Sequence, residues 1–279
     1  MSRILVIGTF DSVSCAIGER LTAAGVAMEY AAGNADALQR LRLRSFGVVI
    51  TCPETPVDDD LALLEEMRLI RPGVKCIVLT PRSTPEEIIA ALRARVFACF
   101  SEPYSVEAIA DLAQSAASSS DWRDEIYVVS ARAGWVTVRV NCQMLTADRL
   151  LTFARELNAR LPSDELQDMI RALREILLNA MEHGTAFNPD QTVEMTAVRT
   201  ARSLVFHIRD PGPGFRRGQL AEGGIANPLE DPLEHIRRRE EAGIRPGGYG
   251  VLLAGNIVDE LIYNESGNEV VLIKYLDRG

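Results

Sequence analysis

With 279 residues, 47% of them hydrophobic, and a formal net charge of −9, the chain is long enough for two domains and has no basic half that would mark a nucleic-acid surface. Arg237-Arg238-Arg239 is answered at once by Glu240 and Glu241, and no apolar run is long enough to cross a bilayer. Five cysteines, an odd number without C-x-x-C spacing, argue against a disulfide or zinc framework and suit reduced thiols. Met1-Ser2-Arg3 leads straight into a short apolar strand, too short for a signal peptide, so a cytoplasmic protein is expected.

Residues 1–115 alternate strand-like and helix-like segments. Ile4 to Ile7, Val48 to Thr51 and Cys76 to Thr80 are short apolar runs of the kind buried on both faces of a parallel sheet, while Leu61 to Ile70 and Pro85 to Leu92 are amphipathic. Five such βα units predict an α/β doubly wound parallel five-stranded sheet with its ligand edge at the carboxyl ends of the strands. This pattern, with Val48-Val49-Ile50-Thr51-Cys52-Pro53, Ile77-Val78-Leu79-Thr80 and Glu102-Pro103-Tyr104, resembles a response-regulator receiver domain.

The resemblance implies an acidic pair after the first strand, a phospho-accepting aspartate after the third and a lysine before the proline. Those positions hold Gly8 and Thr9, Cys52 and Glu102, and Thr80 alone remains of the usual set. Without the carboxylates there is no hard-cation site and no acyl-phosphate nucleophile, and Glu102 would repel a phosphate. The expectation is a pseudo-receiver with no phospho-acceptor, used for docking or dimerisation. Receivers often pair through their last two helices and the strand between them, here about Pro85 to Ala117, which makes a homodimer the expected assembly. In a competing reading Asp11 or the Asp58-Asp59-Asp60 run rebuilds an acidic pocket. Three carboxylates at a helix start also serve as a simple partner for the helix dipole.

Ser115-Ala116-Ala117-Ser118-Ser119-Ser120-Asp121 is the one low-complexity patch and reads as a linker. The division expected is 1–114 for the pseudo-receiver, 115–121 for the linker and 122–279 for a second domain. Ile126 to Ser130 and Trp135 to Val140 are β-rich and predict a hairpin. A helix from about Ala147 to Leu161 follows.

Leu166, Met169, Ile170, Leu173, Ile176, Leu177, Ala180 and Met181 recur at helical spacing, so a helix from about Asp164 to His183 has one apolar face, with Ser163 placed to cap it and Gly184 to end it. Glu175, Asn179 and His183 stack along another line of that helix. Alone, they read equally as a solvated face. Two later stretches bear on this: Asp210-Pro211-Gly212-Pro213-Gly214 after the strand-like Leu204 to Ile208, and Gly247-Gly248-Tyr249-Gly250 opening the apolar run Val251 to Ile257. Either is an ordinary turn by itself.

The joint order E-x-x-x-N-x-x-x-H, D-x-G-x-G and G-x-G resembles the nucleotide boxes of the superfamily shared by gyrase, heat-shock chaperone ATPases, histidine kinases and mismatch-repair ATPases. Within it the likeness is closest to anti-sigma-factor serine kinases, and it runs from about Trp135 to Leu276. It implies an α+β two-layer sandwich ATPase domain that binds ATP with Mg2+. By the same resemblance Asp210 reads the adenine amino group, Gly212 and Gly214 give the backbone access to the base, and Asn179 holds magnesium. Glu175 orients or deprotonates the attacking hydroxyl, and Gly248, Tyr249 and Gly250 open the phosphate-binding helix. His183 is either a further nucleotide contact or a partner of the helix C-terminus. Phe215 to Pro246 corresponds to a mobile lid with a charged helix from Glu234 to Ala242.

The function expected is phosphorylation of a partner on serine or threonine, the partner being a regulatory protein of anti-anti-sigma or sigma-factor type and not nucleic acid or membrane. A nucleotide-gated binding module without transfer is the alternative, and a histidine kinase acting in trans a third. His183, His207 and His235 are the only histidines, and none is followed by the acidic residue and Asn/Thr-Pro pattern of phospho-accepting histidines.

Overall fold

The structure is a computed structural model that describes residues 3–8, 12–119, 125–214 and 249–276. The chain divides into two compact units, Met1–Asp124 and Glu125–Gly279.

In the first unit β1 (Ile4–Ile7), β2 (Met28–Ala31), β3 (Val48–Ile50), β4 (Lys75–Thr80) and β5 (Ala98–Ser101) alternate with α1 (Ser12–Ala23), α2 (Asn34–Leu43), α3 (Val57–Ile70), α4 (Pro85–Arg93) and α5 (Val106–Ser118). All pairings are parallel, in the order β2-β1-β3-β4-β5. This is the doubly wound order in which ligands meet the carboxyl ends of the strands. Every residue of β1, β3 and β4 is buried, as continuous apolar strands covered on both faces must be. The helix after β4 starts at a capping box: Thr84 Oγ1 accepts from Glu87 N while Glu87 Oε2 accepts from Thr84 N, with Pro85 at the first helical position.

The expected linker is partly folded. Ser115 to Ser118 form the last turn of α5, with Ala116 and Ala117 buried. The cause is Lys75, itself 3% exposed, whose ammonium donates to Ala116 O at 2.5 Å and Ser119 O at 2.7 Å. A cation on the last carbonyls satisfies orphan acceptors and opposes the negative end of the helix dipole.

In the second unit β6 (Ile126–Arg132) and β7 (Trp135–Asn141) form the expected hairpin, with a register shift between Val128 and Ser130. They are followed by α6 (Met144–Leu157), α7 (Ser163–Thr185), β8 (Thr192–Arg199), β9 (Ser203–Arg209), α8 (Tyr249–Ile257), β10 (Glu260–Tyr263) and β11 (Glu269–Tyr275). The strands make a six-stranded antiparallel sheet in the order β10-β11-β9-β8-β7-β6. Val193, Met195 and Ala197 of β8 and Leu204, Phe206 and Ile208 of β9 alternate inward, and α6 and α7 pack on the sheet. The result is the expected two-layer sandwich.

Some helix ends differ from expectation. The helix expected over Ala147 to Leu161 starts earlier and stops at Leu157, because buried Asn158 turns its amide back to Ala154 O at 2.8 Å. Pro162, not Ser163, occupies the N-cap of α7, without a side-chain cap bond. Gly184 does not end α7, which runs on to Thr185 and stops at Ala186 in the left-handed conformation, φ 51°.

Lys75→Met is expected to destabilise the first unit by about 2–3 kcal/mol, the scale of a lost charged hydrogen bond. Denaturant unfolding checks the energy. Hydrogen exchange should show the loss concentrated in the last turn of α5.

Candidate functional site

Helix α7 carries both ends of the site. Its apolar stripe, from Leu166 to Met181, is held on the sheet, so the line Glu175, Asn179, His183 is fixed in direction. Glu175 and Asn179 are half-buried and His183 is exposed. The helix α8 packs along α7 so closely that a Cβ on Gly250 would lie 2.5 Å from Glu175 Oε2. The Asp210 loop meets the other end of α7: a Cβ on Gly184 would lie 2.3 Å from Asp210 Oδ1. The structure therefore brings Glu175 to Gly250 and Asp210 to the end of the same helix.

Asp210 follows β9 and is 9% exposed. Its Oδ1 accepts from Gly212 N at 2.8 Å and its own N–H donates to Asn268 O at 3.0 Å. Burial pushes its carboxyl above the usual range, and the Gly212 N–H opposes that shift. Beside it, burial and then the Asp210 charge push the Tyr263 phenol up to about 12. Cys142 is also raised, first by burial, with Asp210 a smaller contributor. Neither Tyr263 nor Cys142 carries a motif that sequence reading would have singled out.

The glycines of D-x-G-x-G have a reason of their own. A Cβ on Gly212 would lie 2.6 Å from Gly184 O, and one on Gly214, at φ 71°, would lie 1.9 Å from Ser266 O. Both are required by packing against other backbone, in addition to any access they give a base. Gly248 and the lid expected over Phe215 to Pro246 lie outside the described residues, as does the Tyr249 side chain. A buried carboxylate suits an amino-group donor, since it can only accept when ionised. The half-buried Asn179 side-chain oxygen suits a hard cation that keeps most of its waters.

At the carboxyl edge of the first unit, Gly8, Cys52, Thr80 and Glu102 each end or follow a strand of the parallel sheet. Gly8 has φ 146°, a conformation that side chains rarely adopt, so the position favours glycine over a carboxylate. Thr80 Oγ1 donates to Arg82 O at 2.9 Å, and Tyr104 donates to Pro53 O at 3.2 Å. Asp11 lies outside the described residues. Asp58 and Asp59 are exposed in the first turn of α3, as dipole partners would be, but Asp60 is not. It is fully buried, with Oδ2 accepting from Thr51 Oγ1 at 2.7 Å and Oδ1 from Thr55 Oγ1 at 2.8 Å. Burial pushes its carboxyl up to about 7 against those two bonds. The third aspartate thus ties α3 to both ends of the β3–α3 loop.

The fold of the second unit fits an ATPase domain of the two-layer kind, and that of the first is receiver-like. Residues 143–274 match the family model of the histidine kinase-like ATPase domain, which implies nucleotide binding. Solved structures similar to the first unit include a CheY-like receiver domain from Methanospirillum hungatei JF-1, 22% identical over 41% of this chain and 92% of that one, with a TM-score of 0.37. A response regulator from Thermotoga maritima is 18% identical over 43% and 100%, and Vibrio cholerae CheY4 20% identical over 42% and 98%, both also at 0.37. At these scores the receiver-like fold rests on the strand order itself. Among curated proteins none matches the chain. No helix among the described residues is long and apolar enough to cross a membrane.

Two outcomes test this geometry. Gly184→Ala should cost about 2–3 kcal/mol, as overpacking does, whereas Gly255→Ala in α8, whose Cβ would meet Leu261 at an ordinary 3.8 Å, should gain up to about 1 kcal/mol in helix propensity. Chemical denaturation of both variants decides it.

For Asp60 the folded state keeps its proton to about pH 7, against 3.8 for the free group. The folded state binds more protons between those values, so its stability falls as pH rises through that window and is level above it. At roughly 1.4 kcal/mol per pKa unit the full span is worth about 4 kcal/mol. Asp60→Asn should therefore gain on the wild type by a few kcal/mol between about pH 5 and about pH 8, read from unfolding free energies.

Proposed function

We propose that the protein is a cytoplasmic signal-transduction protein that binds Mg-ATP in its second unit and phosphorylates a regulatory partner protein on serine or threonine, in the manner of anti-sigma-factor kinases. The observation that carries this reading is the carboxylate of Glu175 set against Gly250 at the start of α8, on the same helix whose far end seats Asp210. A pure binding site has little use for a base one turn from a magnesium ligand.

Asp210 accepts a hydrogen bond from the adenine amino group and rejects guanine, whose 6-oxo group offers no donor. Asn179 would hold the magnesium ion, which supplies charge neutralisation to the phosphates when bound. The N-terminal amides of α8, with Gly248 and Gly250, receive phosphate oxygens. Glu175 takes the proton of the partner's hydroxyl as its oxygen bonds to the γ-phosphorus and the bond from that phosphorus to the bridging oxygen breaks, leaving ADP. His183, exposed near the helix end, offers a polar contact at the rim. The first unit serves as a pseudo-receiver for docking or self-association through α4, β5 and α5. Its Cys52 takes no phosphate, and the partner is of anti-anti-sigma or sigma-factor type.

Calorimetry should show Mg-ATP binding that Asp210→Asn weakens by at least about tenfold, the worth of a charged hydrogen bond. Glu175→Ala should spare most of that affinity while abolishing the mass increase of a captured partner incubated with ATP. A partner that binds only with ATP and keeps its mass with the wild type would instead make the protein a nucleotide-gated binding module.

A further inference from the structure

We infer that the turn between β10 and β11 is a brace that holds the Asp210–Gly214 loop in its adenine-reading shape, with Asn268 as the positioning residue. Asn264 organises the turn from within: its Oδ1 accepts from the backbone N–H of Gly267 at 2.8 Å, Asn268 at 3.1 Å and Glu269 at 3.2 Å. Its Nδ2 donates to Asn268 Oδ1 at 2.9 Å. That bond fixes which way the Asn268 amide faces, because an amide whose oxygen is taken on one side presents its two N–H donors on the other.

The donors are turned to the loop. Asn268 Nδ2 makes a long, forked donation to Asp210 O and Gly212 O, each at 3.4 Å, while Asn268 O accepts from Asp210 N at 3.0 Å. Ser266 O fills the space where a Cβ of Gly214 would be. The loop is thus held at its first, third and fifth residues by one turn, and two of its five residues are prolines without N–H groups of their own. Gly212 N is left to donate to Asp210 Oδ1, which fixes the carboxylate and turns its other oxygen toward a base. Asn268 thereby acts on adenine through Asp210.

Asn268→Asp tests this, because it keeps the shape and the acceptor for Asn264 but removes both donors. Hydrogen exchange at the Asp210, Gly212 and Gly214 amides of the full-length protein needs no nucleotide. The Gly212 amide should exchange about tenfold faster in the variant, following the loss of a hydrogen bond, and an unchanged rate overturns the brace.

The affinity arm rests on the nucleotide reading above. Calorimetry with Mg-ATP and with Mg-inosine triphosphate, whose 6-oxo group offers Asp210 no donor, should show the variant losing about tenfold for ATP with inosine triphosphate little changed. An equal loss for both, or no loss for either, overturns Asn268 as a positioning residue. A wild type that binds neither nucleotide removes the proposed function, and the exchange result still decides the brace. Thermal unfolding of the variant serves as the check that the fold is intact.

Discussion

Atoms that are missing hold the nucleotide-side architecture together. Where α7 meets the loop after β9, Gly184 and Gly212 bring backbone and the Asp210 carboxyl within distances that no Cβ would allow. Asp210 can then be buried to 9% exposure and still accept a backbone N–H, which offsets part of the cost of taking a carboxylate out of water. The same helix accepts α8 at Gly250 through the same device. Because the apolar face of α7 is fixed on the sheet, the two close approaches set the spacing between the Asp210 and Glu175 carboxyl groups. Helix geometry then determines the rest of the site.

The receiver-like unit uses its carboxyl groups differently. The edge where such folds bind ions has a glycine at φ 146° after β1, a thiol after β3 and an exposed glutamate after β5. The buried acid lies one layer below, with Thr51 and Thr55 each giving Asp60 a hydroxyl donor. Thr51 Oγ1 also accepts Leu79 N at 3.1 Å, so this carboxyl links α3 to the β3–α3 loop and, through Thr51, to β4. A buried cation of the unit is used structurally as well, with the Lys75 ammonium donating to carbonyls at the end of α5.

The periodicities of residues 4–80 and 166–181 were strong enough to disclose both folds, because burial on a sheet imposes them along the whole of an element. The site was legible as a set of residues and less so as a set of reasons. Gly184 reads locally as a helix stop, but its need comes from Asp210, far along the chain. Ser115 to Ser118 read as linker by composition, and the lysine that makes them helical lies 41 residues from Ala116. Asp60 looked like its two exposed neighbours until its threonine partners in the loop after β3 were in place. Tyr263 and Cys142 gave no signal at all, since proximity to Asp210 is created only by the sheet.

The two halves of the chain differ in how they can lose a function over evolutionary time. On the receiver-like rim, exchanging an exposed catalytic side chain for another leaves the sheet beneath it intact, so chemistry there can lapse silently. In the second unit Gly212 and Gly214 abut backbone and Gly184 abuts the buried Asp210 down to its Cβ, so drift at any of them is opposed by folding itself. A descendant that had given up nucleotide chemistry would still be selected to keep those glycines for as long as it folds. Glu175, whose flexible carboxylate is what Gly250 abuts, has no such protection, and its presence or replacement among descendants is therefore the more sensitive record of whether the proposed transfer is under selection.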